Sequence, residues 1–88
     1  MSEKWRELMD FPSQFTYKAF GVQPVTFPQQ VWQAVNEVVA VPWQQVQTRP
    51  SRQGTYVCVS VSVTVADAEQ IEAIYQRLQQ LENLRYLL

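Results

Sequence analysis

The chain has no histidine and a single cysteine, Cys58. Without histidine there is no Ser–His or Cys–His nucleophilic pair and no imidazole metal site. The side chain that most often serves as a base near neutral pH is also missing. A lone cysteine forms no internal disulfide and no cysteine-based zinc cluster, and it suits a reducing compartment. Charge is scarce as well. Seven basic and eight acidic residues leave a net charge of −1, so no overall field draws the chain to nucleic acid or to an anionic membrane. No stretch approaches the roughly 20 apolar residues of a membrane span. The opening "MSEKWRELMDF" carries charges where a secretion signal needs an apolar run. These absences lead us to expect a cytoplasmic protein that needs neither metal nor cofactor.

What is present suits a compact domain. The chain has 88 residues, 47% of them hydrophobic and 12% aromatic, a composition that argues against disorder. We expect one domain over residues 1–88, with residues 1–12 as an extension carrying a short helix capped by Ser2 and ended by Pro12.

Six further elements are predicted. "FTYKAFGV" alternates as a strand, with Phe15, Tyr17 and Ala19 on one face and Thr16, Lys18 and Phe20 on the other. "TFPQQVWQAVNEVVAV" has a helical stripe of Phe27, Val31, Ala34, Val35 and Val38. Thr26 with Gln29 has the form of a capping box. "WQQVQTRP", bracketed by Pro42 and Pro50, reads as an edge strand. "TYVCVSVSVTV" puts valine at every second position and Tyr56, Cys58, Ser60, Ser62 and Thr64 between them, so one face is dry and the other open. "DAEQIEAIYQRLQQLEN" is an amphipathic helix with Asp67 and Gln70 as its cap and Asn83 as a left-handed stop. "LRYLL" closes the chain as a strand.

The order β-α-β-β-α-β, in two halves of like length, predicts an α+β ferredoxin-like sandwich. It is a four-stranded antiparallel sheet of order 4-1-3-2 with two helices on one face.

The stretches "FPSQFTYKAFG", "PSRQGTYVCVSVSV" and "IYQRLQQLENLRYLL" give the chain its kinship. Together they resemble the YbeD-like family of small bacterial proteins, from about Leu8 to Leu88. The motif positions are Phe11, Pro12, Phe15, Tyr17, Lys18 and Gly21, then Pro50, Ser51, Gly54 and Tyr56. The resemblance implies a ferredoxin-like fold similar to the ACT-type regulatory domains of metabolic enzymes. It implies no catalytic residues. Through gene neighbourhood it suggests a link to the lipoate pathway. The chain departs from the family pattern at Arg52, Gln53 and Cys58, where the resemblance implies Ser, Lys and Ser.

Two regions are candidate binding sites. In the 4-1-3-2 order the loops Gly21–Thr26, Arg49–Gly54 and Glu82–Leu84 meet at one end of the sheet. Helix amides near Thr26, with Arg49 or Arg52, could there hold an anion. Equally, Pro50, Ser51 and Gly54 could form a plain hairpin turn with solvated arginines. The second region is the open sheet face, expected to carry Lys18, Phe20, Tyr56, Ser60, Ser62 and Arg85. Phe20 and Tyr56 suggest a docking surface, and more weakly a base-stacking platform. "RQGTYVCV" matches only the start of the RNP1 pattern. Cys58, on the same face, could react with oxidants or simply stand for serine. The function expected is therefore a non-catalytic regulatory or adaptor protein. It would bind a protein partner or a small anionic metabolite, and would form a homodimer through the free edges of strands two and four. Single-stranded RNA binding is the alternative and is the less expected. An enzyme using Lys18, Tyr56 or Cys58 ranks last.

Overall fold

The computed structural model describes residues 10–88, so the helix expected over residues 2–10 lies outside them except for Asp10. The described elements are β1 (Ser13–Val22), α1 (Phe27–Asn36), a 3-10 turn (Trp43–Gln45), β2 (Val46–Pro50), β3 (Tyr56–Val65), α2 (Ala68–Gln79) and β4 (Leu84–Leu87). The strands form one antiparallel sheet in the order β2-β3-β1-β4. This is the predicted ferredoxin-like order read from the other side.

The core follows from the period-2 pattern of the central strands. Val57, Val59, Val61, Val63 and Val65 are all buried, and opposite them on β1 lie Tyr17 and Ala19, also buried. The helices close over this face with Phe27, Val31, Ala34 and Val35 from α1 and Ile71, Ile74 and Leu78 from α2. Each such side chain larger than alanine contributes about 1.5–3 kcal/mol on leaving water, so the valine-rich α1 is held by packing despite its weak propensity. Among the described residues, Tyr17 is the one core side chain with a polar tip. Its hydroxyl donates to the Ile71 carbonyl at 3.1 Å, which ties α2 to β1. Burial, and secondarily the neighbouring Tyr75, raise the Tyr17 phenol well above its ordinary value. Phe15, Tyr17 and Tyr75 pack as a ring cluster with centroids 4.8–6.5 Å apart.

Local chemistry departs from the sequence expectation at several places. Asp67 does cap α2, accepting from the Gln70 amide at 3.0 Å. The Gln70 side chain reaches back one residue beyond the cap, to the Ala66 amide at 2.6 Å. Thr26 does not cap α1. It is itself helical (φ −97°, ψ −29°), and its side chain makes no capping bond. The amides of Thr26 and Phe27 instead both donate to the Gln23 carbonyl, at 3.2 and 2.9 Å, because Gln23 turns the chain early with φ 67°.

Asn83 is not left-handed, since the positive φ values among the described residues belong to Gln23 and Gly54. Its amide donates to Gln30 Oε1 at 3.2 Å and its carbonyl accepts from Val22 at 3.0 Å. α1 stops at Asn36 rather than running to Val41. The Asn36 side chain takes the Val41 amide at 2.9 Å and Trp32 Nε1 donates to the Val41 carbonyl at 2.8 Å, so the connection folds back on the helix. Trp43 likewise leaves the strand predicted for it. Residues Trp43–Gln45 form the 3-10 turn, closed by the Val46 amide on the Trp43 carbonyl.

Candidate functional site on the open face of the sheet

The face away from the helices is built by parity. From β1 it takes Thr16, Lys18 and Phe20, and from β3 Tyr56, Cys58, Ser60 and Ser62. Gln47 and Arg49 of β2 stand opposite Ser60 and Cys58. On β4 the register shifts between Phe20 and Gly21, so Tyr86 stands opposite Phe20, with ring centroids 6.0 Å apart. Arg85, expected on this face, is folded back instead. Its Nη1 donates to the carbonyls of Glu82 and Leu84, at 3.0 and 3.1 Å.

A shallow hollow of about 720 Å³ lies on this face. Lys18, Phe20, Arg49, Ser51, Tyr56 and Cys58 are among its lining residues, together with Ser60 and Leu88. Its volume is in the range of small-molecule sites. Its charge is one-sided, since no strand carries an acidic residue, and indeed none occurs between Glu37 and Asp67. The described acids lie on the helices, their flanks and Asp10. Glu37, for example, pairs with Arg77 across the two helices at 3.1 Å. A molecule with net charge −1 therefore has a face whose charged side chains among the described residues, Lys18 and Arg49, are both positive.

The candidate residues thus divide. Lys18, Phe20, Arg49, Ser51 and Tyr56 come together around the hollow, whereas Thr26, Arg52 and Gly54 do not line it. The stretch that looked like either a loop site or a hairpin is a closed hairpin. The Ser51 amide donates to the Tyr56 carbonyl at 2.8 Å, and Ser51 Oγ accepts from the Tyr56 amide at 3.2 Å. Gly54, at φ 73°, donates to the Ser51 carbonyl at 3.0 Å and supplies the left-handed residue the turn needs. Arg52 is exposed at its tip. At the start of α1, the amides of Thr26 and Phe27 are taken by Gln23 and Pro28 has none, so few donors remain there for an anion.

Sequence reasoning missed Tyr86 and Leu88. Pairing Phe20 across the edge would have found Tyr86. Among the described residues there is no group of three or more metal-ligating side chains, and no helix is long and apolar enough to cross a membrane.

Comparison with known proteins agrees with this architecture. The profile of a family described as "Protein of unknown function (DUF493)" matches residues 6–88. A UPF0250 protein of Idiomarina loihiensis is 35% identical over 97% of this chain and 96% of its own length. One of Sodalis glossinidius is 33% identical over the full length of both. The solution structure of protein HP0495 from H. pylori superimposes with a TM-score of 0.72, covering 91% of this chain and 85% of that one, at 15% identity, and so supports the fold alone. The chain belongs to the DUF493 (UPF0250) family of small bacterial proteins, the same group as the YbeD-like resemblance.

Proposed function

We propose that the protein is a non-catalytic binding module, regulatory or adaptor in role, whose open sheet face receives a small anionic metabolite with an apolar body. One observation carries this reading: among the described residues, the charged side chains lining the hollow are Lys18 and Arg49, which stand among Phe20, Tyr56 and Leu88. Lys18 of β1 sits opposite Ser60, and Arg49 of β2 sits opposite Cys58 on the other side of β3. With strands about 4.8 Å apart, the two cations flank β3 about two strand spacings from each other, with Ser60 and Cys58 between them and the Phe20 and Tyr56 rings alongside. Charge-assisted bonds to a carboxylate or phosphate would fix one end of the ligand, and the rings would cover the rest. Catalysis has less support. No histidine is present, and the direct cross-strand neighbours of Cys58 are Phe20 and Arg49, neither of them a base.

The test is an amide NMR titration with lipoate, amino acids and nucleotides. Shifts clustered at Lys18, Phe20, Arg49, Tyr56 and Ser60, and lost in Lys18→Ala and Arg49→Ala, are expected. Shifts scattered over the helices, or none at all, would overturn the metabolite reading. A second reading, stacking of single-stranded RNA, gains from Tyr86, which adds a third ring to Phe20 and Tyr56 on a face where the described strands carry no acidic side chain. In the same titration it expects shifts with oligouridylate that weaken steeply with salt.

A further inference from the structure

Among the described residues, β2 is an edge strand with β3 as its one partner, and the register fixes which of its backbone groups face outward. Ser51 donates to Tyr56 across the β2–β3 hairpin, and Lys18 exchanges both bonds with Leu88 across the β1–β4 edge, at 3.2 and 2.9 Å. Antiparallel pairs alternate between bonded and unbonded. Stepping from Ser51 in twos, Arg49 and Gln47 bond to Cys58 and Ser60. Stepping across β1, Tyr17 and Ala19 bond to Val61 and Val59, which leaves Cys58 and Ser60 facing β2. Thr48 therefore turns both its amide and its carbonyl outward. Beside it the carbonyls of Val46 and Pro50 also face out, while the Val46 amide is spent on Trp43.

Thr48 is also where two hollows meet. On the open-face side is the hollow containing Arg49. On the helix side is a second hollow of about 460 Å³, lined by Val25, Pro28, Gln29, Trp32, Trp43 and Thr48. Its apolar walls are unusually bare. Val25 is 91% exposed and Trp43 48%, and Trp43 is held edge-on to Trp32 with centroids 5.8 Å apart. Trp32 is anchored in turn by its bond to the Val41 carbonyl. An exposed tryptophan set edge-on against a half-buried one, next to a strand edge with no partner among the described residues, is the geometry of strand addition. There the backbone supplies affinity and alternate side chains supply specificity.

We infer that β2 is a docking edge for an extended, acidic-apolar segment of a partner protein, added antiparallel with one large apolar residue opposite Thr48. That residue would share the face of Thr48 and enter the tryptophan hollow. The residue before it would stand opposite Arg49 and carry a carboxylate, and the one after it would stand opposite Gln47. The sign of the partner follows from charge: from Val38 to Ala66 the chain has Arg49 and Arg52 and no acid. A second copy of the chain fits worse. Pairing β2 with itself about Thr48 brings two Arg49 side chains onto one face with nothing to neutralise them. The Pro42 and Pro50 brackets limit the edge to a short guest strand.

The probe is a blocked Ser-Glu-Leu-Gln-Ser peptide added to the intact, isotope-labelled chain. Binding should slow hydrogen exchange of the Thr48 amide at least about tenfold and leave the already bonded Gln47 and Arg49 amides unchanged. N-methylation of the leucine amide, which removes the donor to the Thr48 carbonyl, should weaken binding about tenfold. N-methylation of the glutamate, whose amide points away, should leave it within about threefold. Arg49→Glu should weaken the peptide and restore affinity for its lysine counterpart.

Because two of these tests alter only the peptide, misfolding of a variant cannot mimic them. No binding at millimolar peptide overturns the inference. So does binding that leaves Thr48 exchange unchanged, equal binding of the leucine-methylated peptide, or Thr48 protection that depends on protein concentration alone. Small carboxylates carry no strand to add and do not protect Thr48, so this edge and the metabolite hollow fail separately.

Discussion

The crossover from β1 to β2 starts its helix on Gln23, Thr26 and Phe27, whereas the crossover from β3 to β4 starts on Asp67 and Gln70. Both stretches have a hydroxyl or carboxylate followed three residues later by glutamine. Only the second uses them as a cap. In the first, the chain turns at Gln23 and drops the Phe27 ring against the backbone of Gly21, where a Cβ would lie 2.5 Å from the ring and 2.7 Å from the Asn83 carbonyl. One helix start is set by tertiary packing and the other by local hydrogen bonds. A capping pattern in sequence states only what a side chain can do once the backbone is extended at the cap position. Asp67 meets that condition at φ −160°, and Thr26 does not.

Substitutions can separate the two mechanisms. The largest effect is expected from Gly21→Ala. The Asn83 carbonyl is backbone and the Phe27 ring is enclosed, so neither yields cheaply, and a loss of about 3 kcal/mol should appear in urea unfolding. A change near zero would mean that Phe27 does not set the first crossover.

Next comes Tyr17→Phe, which cuts the tie between α2 and β1 at a cost of about 1 kcal/mol. It has a pH signature. Burial, then Tyr75, raise the folded-state phenol above its unfolded value. The stability held by the neutral phenol is therefore fully present below about pH 10 and is lost as the pH climbs from there. The phenylalanine variant should lose less stability over that alkaline range, and an identical slope would contradict the assignment.

The smallest and sharpest contrast is between caps. Asp67→Ala should cost about 1 kcal/mol, but Thr26→Ala no more than about 0.5. Equal losses in thermal melts would erase the distinction between the two starts.

The same contrast explains what was legible in the sequence. Strand faces, both helix stripes and the sheet order follow from periods of 2 and 3.6, which survive without knowledge of neighbours. Lys18, Phe20 and Tyr56 are legible as open-face residues because they lie on strands whose parity runs uninterrupted. Parity failed at β4, where the register shift beside Gly21 exchanged the expected Arg85 for Tyr86. It could not show the tryptophan hollow either, since Trp32 and Trp43 meet only because Asn36 and Trp32 together fold Val41 back on the helix. Thr26 and Arg52 were grouped with Arg49 by loop proximity. The hollow is defined by side-chain direction, which proximity along the edge does not give.

The valine ladder of β3 has one further consequence. Because the same residue recurs at every second position from Val57 to Val65, the strand is nearly its own copy displaced by two. A slip of one residue would expose every valine to water and is forbidden. A slip of two would leave the dry face almost unchanged. The ladder therefore supplies cohesion but carries almost no address. The address is written in the features that occur once along β1 and β3: Tyr17 on the Ile71 carbonyl, Gly21 under Phe27, and the Ser51–Tyr56 hairpin. Within this small domain the valines can exchange with other branched residues of like volume, whereas these singular positions decide which of the nearly equivalent alignments the chain keeps.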